Sequence, residues 1–155
     1  MPKRRSLVAM TEEEQEAYLR EGHTLQVASI GASGHPHLVA MWYALLDGKV
    51  AFATYEKSQK VINLRKNPKI SVMLESGETY DQLRGLVIEG TARIIEGNIP
   101  LAAQVMMTSG SRKPGEFITA EPNEGALKRA SKRVIVVVEP EDIYSWDHRK
   151  LGGTY

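Results

Sequence analysis

The chain has 155 residues, 42% hydrophobic and 25% charged, with a formal net charge of +1. That suits one domain with its own core, and it excludes a global field for nucleic acid or a membrane surface, so any anion site must be local. The absence of cysteine excludes disulfides, thiolate metal sites and cysteine nucleophiles. No apolar run approaches the ~20 residues of a membrane span. The basic stretch at residues 1–5 has no apolar signal core after it. A soluble, cytoplasmic protein without nucleic-acid or membrane partners is expected.

In chain order, Thr11-Glu12-Glu13-Glu14 is a capping box that opens a helix running to about Glu21 and ended by Gly22. Residues 25–30 read as a strand and residues 31–34 as a turn. Residues 37–46 read as a second strand, with Val39, Met41, Tyr43 and Leu45 on one face and Leu38, Ala40, Trp42 and Ala44 on the other. Both faces are apolar, so this strand is expected to be buried on both sides. Asp47-Gly48 is a two-residue hairpin signal leading to a strand at residues 50–54. A helix then opens with Ser58 as its cap, places Val61, Ile62 and Leu64 on an apolar face, and stops at Asn67-Pro68. Strands follow at residues 70–74 and 86–95, around a polar loop at 75–81. Pro100 fits the first turn of a helix that runs to about Thr108. Residues 109–123 read as an exposed loop and 124–131 as a short helix. The last strand is residues 134–139, ended by Pro140. Six strands with few, short helices predict a mainly β, antiparallel barrel with flanking helices, not a parallel α/β sheet. The reading is a single domain over 1–155, with an arm at 1–10 and a tail at 140–155.

The chemistry concentrates at residues 54–69. Five basic residues, Lys57, Lys60, Arg65, Lys66 and Lys69, and no acidic one lie between Lys57 and Lys69. A strand that runs into a helix N-terminus, with a hydroxyl and two lysines at the turn, can hold a phosphate, because free N–H groups, the helix dipole and the ammonium charges point the same way. The alternative is a capped helix with a solvated basic face, since this is not a glycine-rich nucleotide loop.

Other polar residues say less. His35 and His37 lie two apart, as a metal pair would, but no third ligand neighbours them. A turn histidine plus a groove-lining histidine is the preferred reading, and no metal is expected. His148, between Asp147 and Arg149, reads as a surface residue or a proton donor. Trp146 reads as a packing anchor or a ligand platform. Tyr80 and Asp81 sit in a loop and could reach a substrate, but nothing in the sequence requires it. Asp47 and Glu56 make no acid–base pair, no Ser-His-Asp arrangement is present, and the catalytic residue is left unassigned.

Several motifs together carry a resemblance: Gly34-His35-Pro36-His37 into residues 38–43, Asp47-Gly48-Lys49-Val50, Ala53-Thr54, Lys57-Ser58-Gln59-Lys60, Asn63-Leu64 and Asn67-Pro68. Residues 84–90 and the last strand extend it over roughly 10–140. The chain resembles the pyridoxamine 5′-phosphate oxidase-like split-barrel flavoproteins, and among them the branch of small flavin and deazaflavin oxidoreductases. The resemblance implies a six-stranded split barrel of the FMN-binding type and a homodimer with two cofactors in grooves between the subunits. It implies that Lys57, Ser58 and Lys60 take the cofactor phosphate, with Gln59 assisting and Thr54 beside it. Met41 and Trp42 would lie along the tricyclic ring, partly through backbone groups, and Asn63 would support the site from behind. The tail is expected to pack over the partner's cofactor groove, with Trp146 reaching it, the alternative being a tail that only seals the bottom of its own barrel.

Two departures from the family's oxidase matter. Gly85 stands where the oxidase has a flavin-bonding glutamine, and residues 146–150 do not reproduce its arginine-containing segment for the substrate phosphate. The chain is therefore not expected to oxidise pyridoxamine phosphate. The implied function is hydride transfer from reduced coenzyme F-420 to a small conjugated or heteroaromatic molecule. The basic run and Lys3-Arg4-Arg5 would answer the phosphate and polyglutamate tail of that coenzyme. FMN-dependent oxidoreduction is the first alternative. A non-catalytic protein that stores or senses a flavin or haem is the second, with haem disfavoured by a count of four histidines. A cofactor that does the redox chemistry also explains why no catalytic side chain stands out.

Overall fold

A computed structural model describes residues 3–153 of the chain; Met1 and Pro2 of the basic arm, and Thr154 and Tyr155 of the tail, lie outside the described residues. The helices are α1 (Arg4–Val8), α2 (Glu12–Arg20), α3 (Gln59–Lys66), α4 (Ile99–Gly110) and α5 (Glu124–Ala130). The strands are β1 (Leu25–Ile30), β2 (Pro36–Met41), β3 (Ala44–Leu46), β4 (Lys49–Tyr55), β5 (Lys69–Ser76), β6 (Arg84–Ile95) and β7 (Arg133–Asp147). They form one antiparallel sheet in the order β2-β1-β5-β6-β7-β4-β3.

The sheet has seven strands, not the six expected, because residues 37–46 are not one strand. β2 and β3 lie on opposite edges of the sheet, joined only by Trp42 and Tyr43. Three Cα–Cα steps reach at most about 11 Å. The two edges must therefore approach each other, and the sheet curls into a split barrel. Tyr43 is buried at this crossing, where its hydroxyl donates to the Leu19 carbonyl at the end of α2. Burial of the phenol pushes its pKa well above the ordinary tyrosine value.

Burial on both faces was also expected for residues 37–46, and this too is corrected. β2 is an edge strand whose outward residues Pro36, Leu38 and Ala40 are exposed, while His37, Val39 and Met41 turn inward and are half-buried. The strands covered on both sides are β4, residues 85–88 of β6 and the first half of β7. Val50 and Phe52 face the barrel core, while Ala51 and Ala53 join a second apolar layer under α4 and α5. The second layer is rich in alanine, Ala102 and Ala103 among them, which lets α4 lie close on β4 and β7.

Pro140 does not end the last strand, which runs on to Asp147, 15 residues in all. A β-bulge shifts the register between Glu89 and Gly90, so that Gly90 faces Pro140 while Glu89 faces Asp142. A strand tolerates proline where a bulge already interrupts the ladder. Gly90 is required there, since a Cβ would fall 2.0 Å from the Glu139 carbonyl oxygen. Nor is residues 109–123 simply an exposed loop. Ser109 and Gly110 complete α4, Pro114 and Pro122 are buried, and the Pro114 carbonyl accepts from Leu45 N–H at 2.9 Å. The loop thereby satisfies a donor on the β3 edge that would otherwise be open.

Local signals held where they are self-contained. Thr11 and Glu14 form the reciprocal capping box. Asp47 and Gly48 both take positive φ, 51° and 77°, as a tight hairpin turn requires.

Candidate functional site

β4 runs out at Tyr55, and the chain turns through Glu56 and Lys57 into α3. Ser58 occupies the N-cap position with extended backbone, yet it does not cap: its side chain makes no cap hydrogen bond, and its hydroxyl oxygen is buried with no hydrogen-bond partner. This corrects the expectation of a Ser58 cap. The first N–H groups of α3 are therefore not satisfied by this side chain, and a buried hydroxyl stands among them without a partner. Each of these groups is stabilised by an anion.

Lys60 reaches back over the turn, and its ammonium donates to the buried Thr54 hydroxyl at 2.9 Å. Its pKa is pushed below the usual lysine range, first by burial and then by the charge of Arg133. Gln59 donates through its amide to Asn63 Oδ1 at 2.8 Å, and Asn63 Nδ2 donates to Ser29 Oγ at 3.1 Å. Asn63 is buried behind the turn and ties α3 to β1. Lys57 is exposed and, with Tyr55, Glu56 and Lys132, lines a cavity of about 400 Å³.

A second cavity, of about 470 Å³, opens beside it, with Met41, Trp42, Ala53, Met106 and Arg133 in its wall. Trp42, at the β2–β3 crossing, is 53% exposed, and the Arg112 guanidinium lies 4.6 Å from its ring centre. Arg133 lies in the wall of the second cavity and stacks on Tyr55 of the first. It pairs with Tyr55 in the β4–β7 ladder, and its guanidinium lies 4.2 Å from that ring. Thr54, Lys57, Ser58, Lys60, Met41 and Trp42 thus gather around one end of β4.

Arg133 and Arg112 were not singled out from the sequence. A basic Lys132-Arg133 pair opening the last strand was visible, but its position opposite Tyr55 is set by strand pairing. Other parts of the basic run are diverted. Arg65 pairs with Glu96, and with Glu56 at 3.8 Å. Lys69 lines a separate cavity with Glu89 and Glu141. In the N-terminal arm, Arg5 lies 5.4 Å over the Tyr144 ring on β7.

Trp146 stands apart from the other singled-out residues within the chain. It pairs with Gly85 in the β6–β7 ladder and lays its ring on that glycine; a Cβ at Gly85 would fall 1.9 Å from the indole. The glycine in place of the oxidase's glutamine is thus the seat for Trp146. His148 and Tyr80 meet, with ring centres 4.6 Å apart and His148 Nδ1 2.9 Å from the Tyr80 carbonyl, while Asp81 accepts from Thr79. His35 sits in the turn before β2, and His37 faces inward opposite Ser29 with a buried Nδ1 that has no hydrogen-bond partner. Among the described residues, no group of three or more His, Cys, Asp or Glu could hold a metal ion. Among them too, no helix is long and apolar enough to cross a membrane.

Comparison with solved structures finds the same fold. The conserved hypothetical protein Rv2991 from Mycobacterium tuberculosis is 38% identical, with a TM-score of 0.83 over 99% of this chain and 95% of that one. An F420 reductase is 23% identical, with a TM-score of 0.62 over 83% of this chain and 94% of its own. HutZ, the heme storage protein from Vibrio cholerae, is 20% identical, with a TM-score of 0.64 over 87% and 94%. The last two show the fold alone. No curated protein matches the chain. The family profile described as pyridoxamine 5′-phosphate oxidase matches residues 11–147. With that span, more than half of the chain, and with a split-barrel fold, the chain belongs to the pyridoxamine 5′-phosphate oxidase family.

Proposed function

We propose that the chain is a flavin- or deazaflavin-dependent oxidoreductase, with reduced coenzyme F-420 as its cofactor and a small conjugated or heteroaromatic molecule as its substrate. One observation carries the reading: the Ser58 hydroxyl is buried without a partner at the start of α3, beside the Lys60–Thr54 contact. These residues fit a phosphate. Ser58 and the first N–H groups of α3 would bind it, Lys60 and Lys57 would neutralise it, and Asn63 would keep α3 in place through Ser29. Met41 and Trp42 would give the ring an apolar wall that limits water. A bound flavin or deazaflavin supplies hydride transfer; the chain supplies binding, orientation and exclusion of solvent.

What favours the deazaflavin is charge beyond one phosphate. Arg133, Lys132 and Arg112 surround the turn and the neighbouring cavities. That is more positive charge than a phosphomonoester needs, and it suits a cofactor with a further acidic chain. An FMN-dependent enzyme is the second reading, since the Ser58–Lys60 turn alone would hold a monoester. Pyridoxamine phosphate is not proposed as substrate, because residues 146–150 do not reproduce the oxidase's arginine-containing segment for the substrate phosphate.

We also infer a homodimer. Leu38 is 66% exposed on the outer face of β2, and Ile30 and Ile143 are exposed as well. Such apolar surface usually marks an interface, and Trp146 at the end of β7 would reach a groove only in a partner.

The test is a titration of purified protein with F-420 and with FMN, followed by absorbance and fluorescence, then turnover on a substrate panel. Tight F-420 binding and F-420-linked reduction are expected. Tight FMN binding with none of F-420 would select the second reading, binding without turnover would leave a storage protein, and binding of neither would overturn the proposal.

A further inference from the structure

We propose that the Trp42 cavity selects a planar aromatic group carrying a negative charge, stacked on Trp42 and held at its edge by Arg112 and Arg133. The inference deepens the oxidoreductase reading. It rests on that reading for the ligand's role but not for the binding itself.

The cavity has a flat floor and a charged rim. Half of the Trp42 surface is open, and an exposed indole is a stacking platform. None of the residues in the cavity wall is acidic. Arg133 is in the wall, and Arg112 lies over the indole. Among the described residues neither guanidinium is paired with a carboxylate; Arg133 donates to the Arg129 carbonyl and stacks on Tyr55.

The backbone holds Arg112 in place at a conformational cost. Its φ is +62°, the left-handed region that non-glycine residues seldom occupy. Its carbonyl oxygen lies where a Gly22 Cβ would be, 2.2 Å from that position, so only glycine at 22 lets the loop approach. Arg112 N–H donates to Ser109 at the end of α4, and the Pro114 carbonyl two residues on is bonded to Leu45. Nothing in this bracing requires an arginine side chain. Glycine would suit the turn better, so the guanidinium on Trp42 calls for another explanation.

Selectivity follows from the exchange that binding demands. A ring that stacks on the open part of Trp42 shares the indole with the Arg112 guanidinium, 4.6 Å from the ring centre. A neutral ring competes for that cation–π contact and returns nothing to the guanidinium. A ring with a carboxylate or an ionised oxygen at its edge offers a charge-assisted, often bidentate, partner instead. Such an anionic ring can belong to the cofactor or to the substrate, and the chemistry recognised is the same.

The chain has two tryptophans, so Trp146→Phe leaves Trp42 as the reporter. Its fluorescence is followed during titration with 4-nitrobenzoate and with the neutral 4-nitrobenzamide. The benzoate should bind at least about tenfold tighter, and the gap should close as salt rises. Arg112→Gly, which relieves the left-handed strain and should keep the melting temperature, should bring the two within about threefold. Equal binding of the two probes overturns the proposal, as does a gap that salt does not touch or that survives Arg112→Gly. The salt series needs no Arg112 variant and decides the matter even if that variant unfolds. Repeating the titration with saturating cofactor separates the sources. Displacement of the benzoate makes the anionic ring the cofactor's, and co-binding makes it the substrate's. If no cofactor binds while the benzoate preference holds, the oxidoreductase reading fails and the anion-selective cavity stands.

Discussion

The ammonium of Lys60 and the hydroxyl of Thr54 meet at 2.9 Å, and within the described residues the charge acting on that ammonium is a second cation, Arg133. A half-buried lysine so placed is short of an anion. Lys60→Ala should therefore weaken cofactor binding about ten- to a hundredfold, the range for one charge-assisted contact. Lys66→Ala, at the other end of α3, should change it less than about threefold. Isothermal titration of both variants checks this, and equal affinities would place the phosphate elsewhere.

The same contact predicts a pH dependence in the ligand-free protein. The folded pKa of Lys60 is lowered, while the unfolded chain holds the proton up to the ordinary value of about 10.4. Between the two, the unfolded state binds more protons, so Lys60 makes stability rise with pH across that window. Below the folded pKa the cost of the buried charge is fully present. Lys60→Met should be at least as stable as the wild type near neutrality and lack this slope. Urea midpoints between pH 7 and 10 measure it, and a parallel pair of curves would count against the reading.

Gly85 and Trp146 form a second coupled pair. A Cβ at Gly85 meets the indole at 1.9 Å, so Gly85→Ala should cost about 1–3 kcal/mol of stability through overpacking. In Gly85→Ala/Trp146→Leu much of that cost should vanish, which a double-mutant cycle reads as a coupling energy. Strict additivity would show that the glycine serves something other than the indole.

Leu38 tests the dimer. It is exposed on the outer face of an edge strand, where a lone apolar side chain gives the monomer little. Leu38→Asp should leave the monomer's melting largely intact, within about 0.5 kcal/mol for a surface change. The sedimentation coefficient should shift to that of a single chain. A wild type that sediments as monomer at micromolar concentration refutes the interface.

The tail is bound to its own chain. Ser145, Trp146 and Asp147 are ladder positions opposite Leu86, Gly85 and Arg84, and Ser145 Oγ accepts from Met10 N–H at 3.0 Å. Arg149 holds the Asp147 carboxyl below the usual range, and Lys150 donates to Glu14 at 2.6 Å and to the Ala9 carbonyl. Deleting residues 145–155 should therefore lower the melting temperature by several degrees, each kcal/mol being worth about 2–4 °C in a chain of this size. Trp146→Ala is the sharper probe of a role in the partner's groove: it should lower cofactor affinity while the dimer persists. Unchanged affinity would confine Trp146 to packing on Gly85.

Patterns that close on themselves within a few residues were decided by the sequence alone: the Thr11–Glu14 capping box, the Asp47-Gly48 hairpin, the basic turn around Ser58, and the antiparallel, mainly β class. Each depends on torsional preference or on side chains that meet through one turn, so neighbours in sequence suffice. The break at Trp42-Tyr43 depended on something else. Apolar alternation on both faces looks the same for a strand sandwiched in a core and for one that crosses between the two edges of a curling sheet, and only closure of the sheet distinguishes them. Pro140 obeys its local rule at the wrong scale, since a bulge at Gly90, fifty residues earlier, makes room for it in the ladder. Ser58 has the right residue type and backbone for a cap, but burial of its hydroxyl away from any partner is a tertiary outcome. Arg112 and Arg133 reach the end of β4 through the α4 loop and the β4–β7 pairing. The local chain could nominate a basic turn; which cations, which aromatic face and which unpartnered hydroxyl lie near it was settled by how the strands close around them.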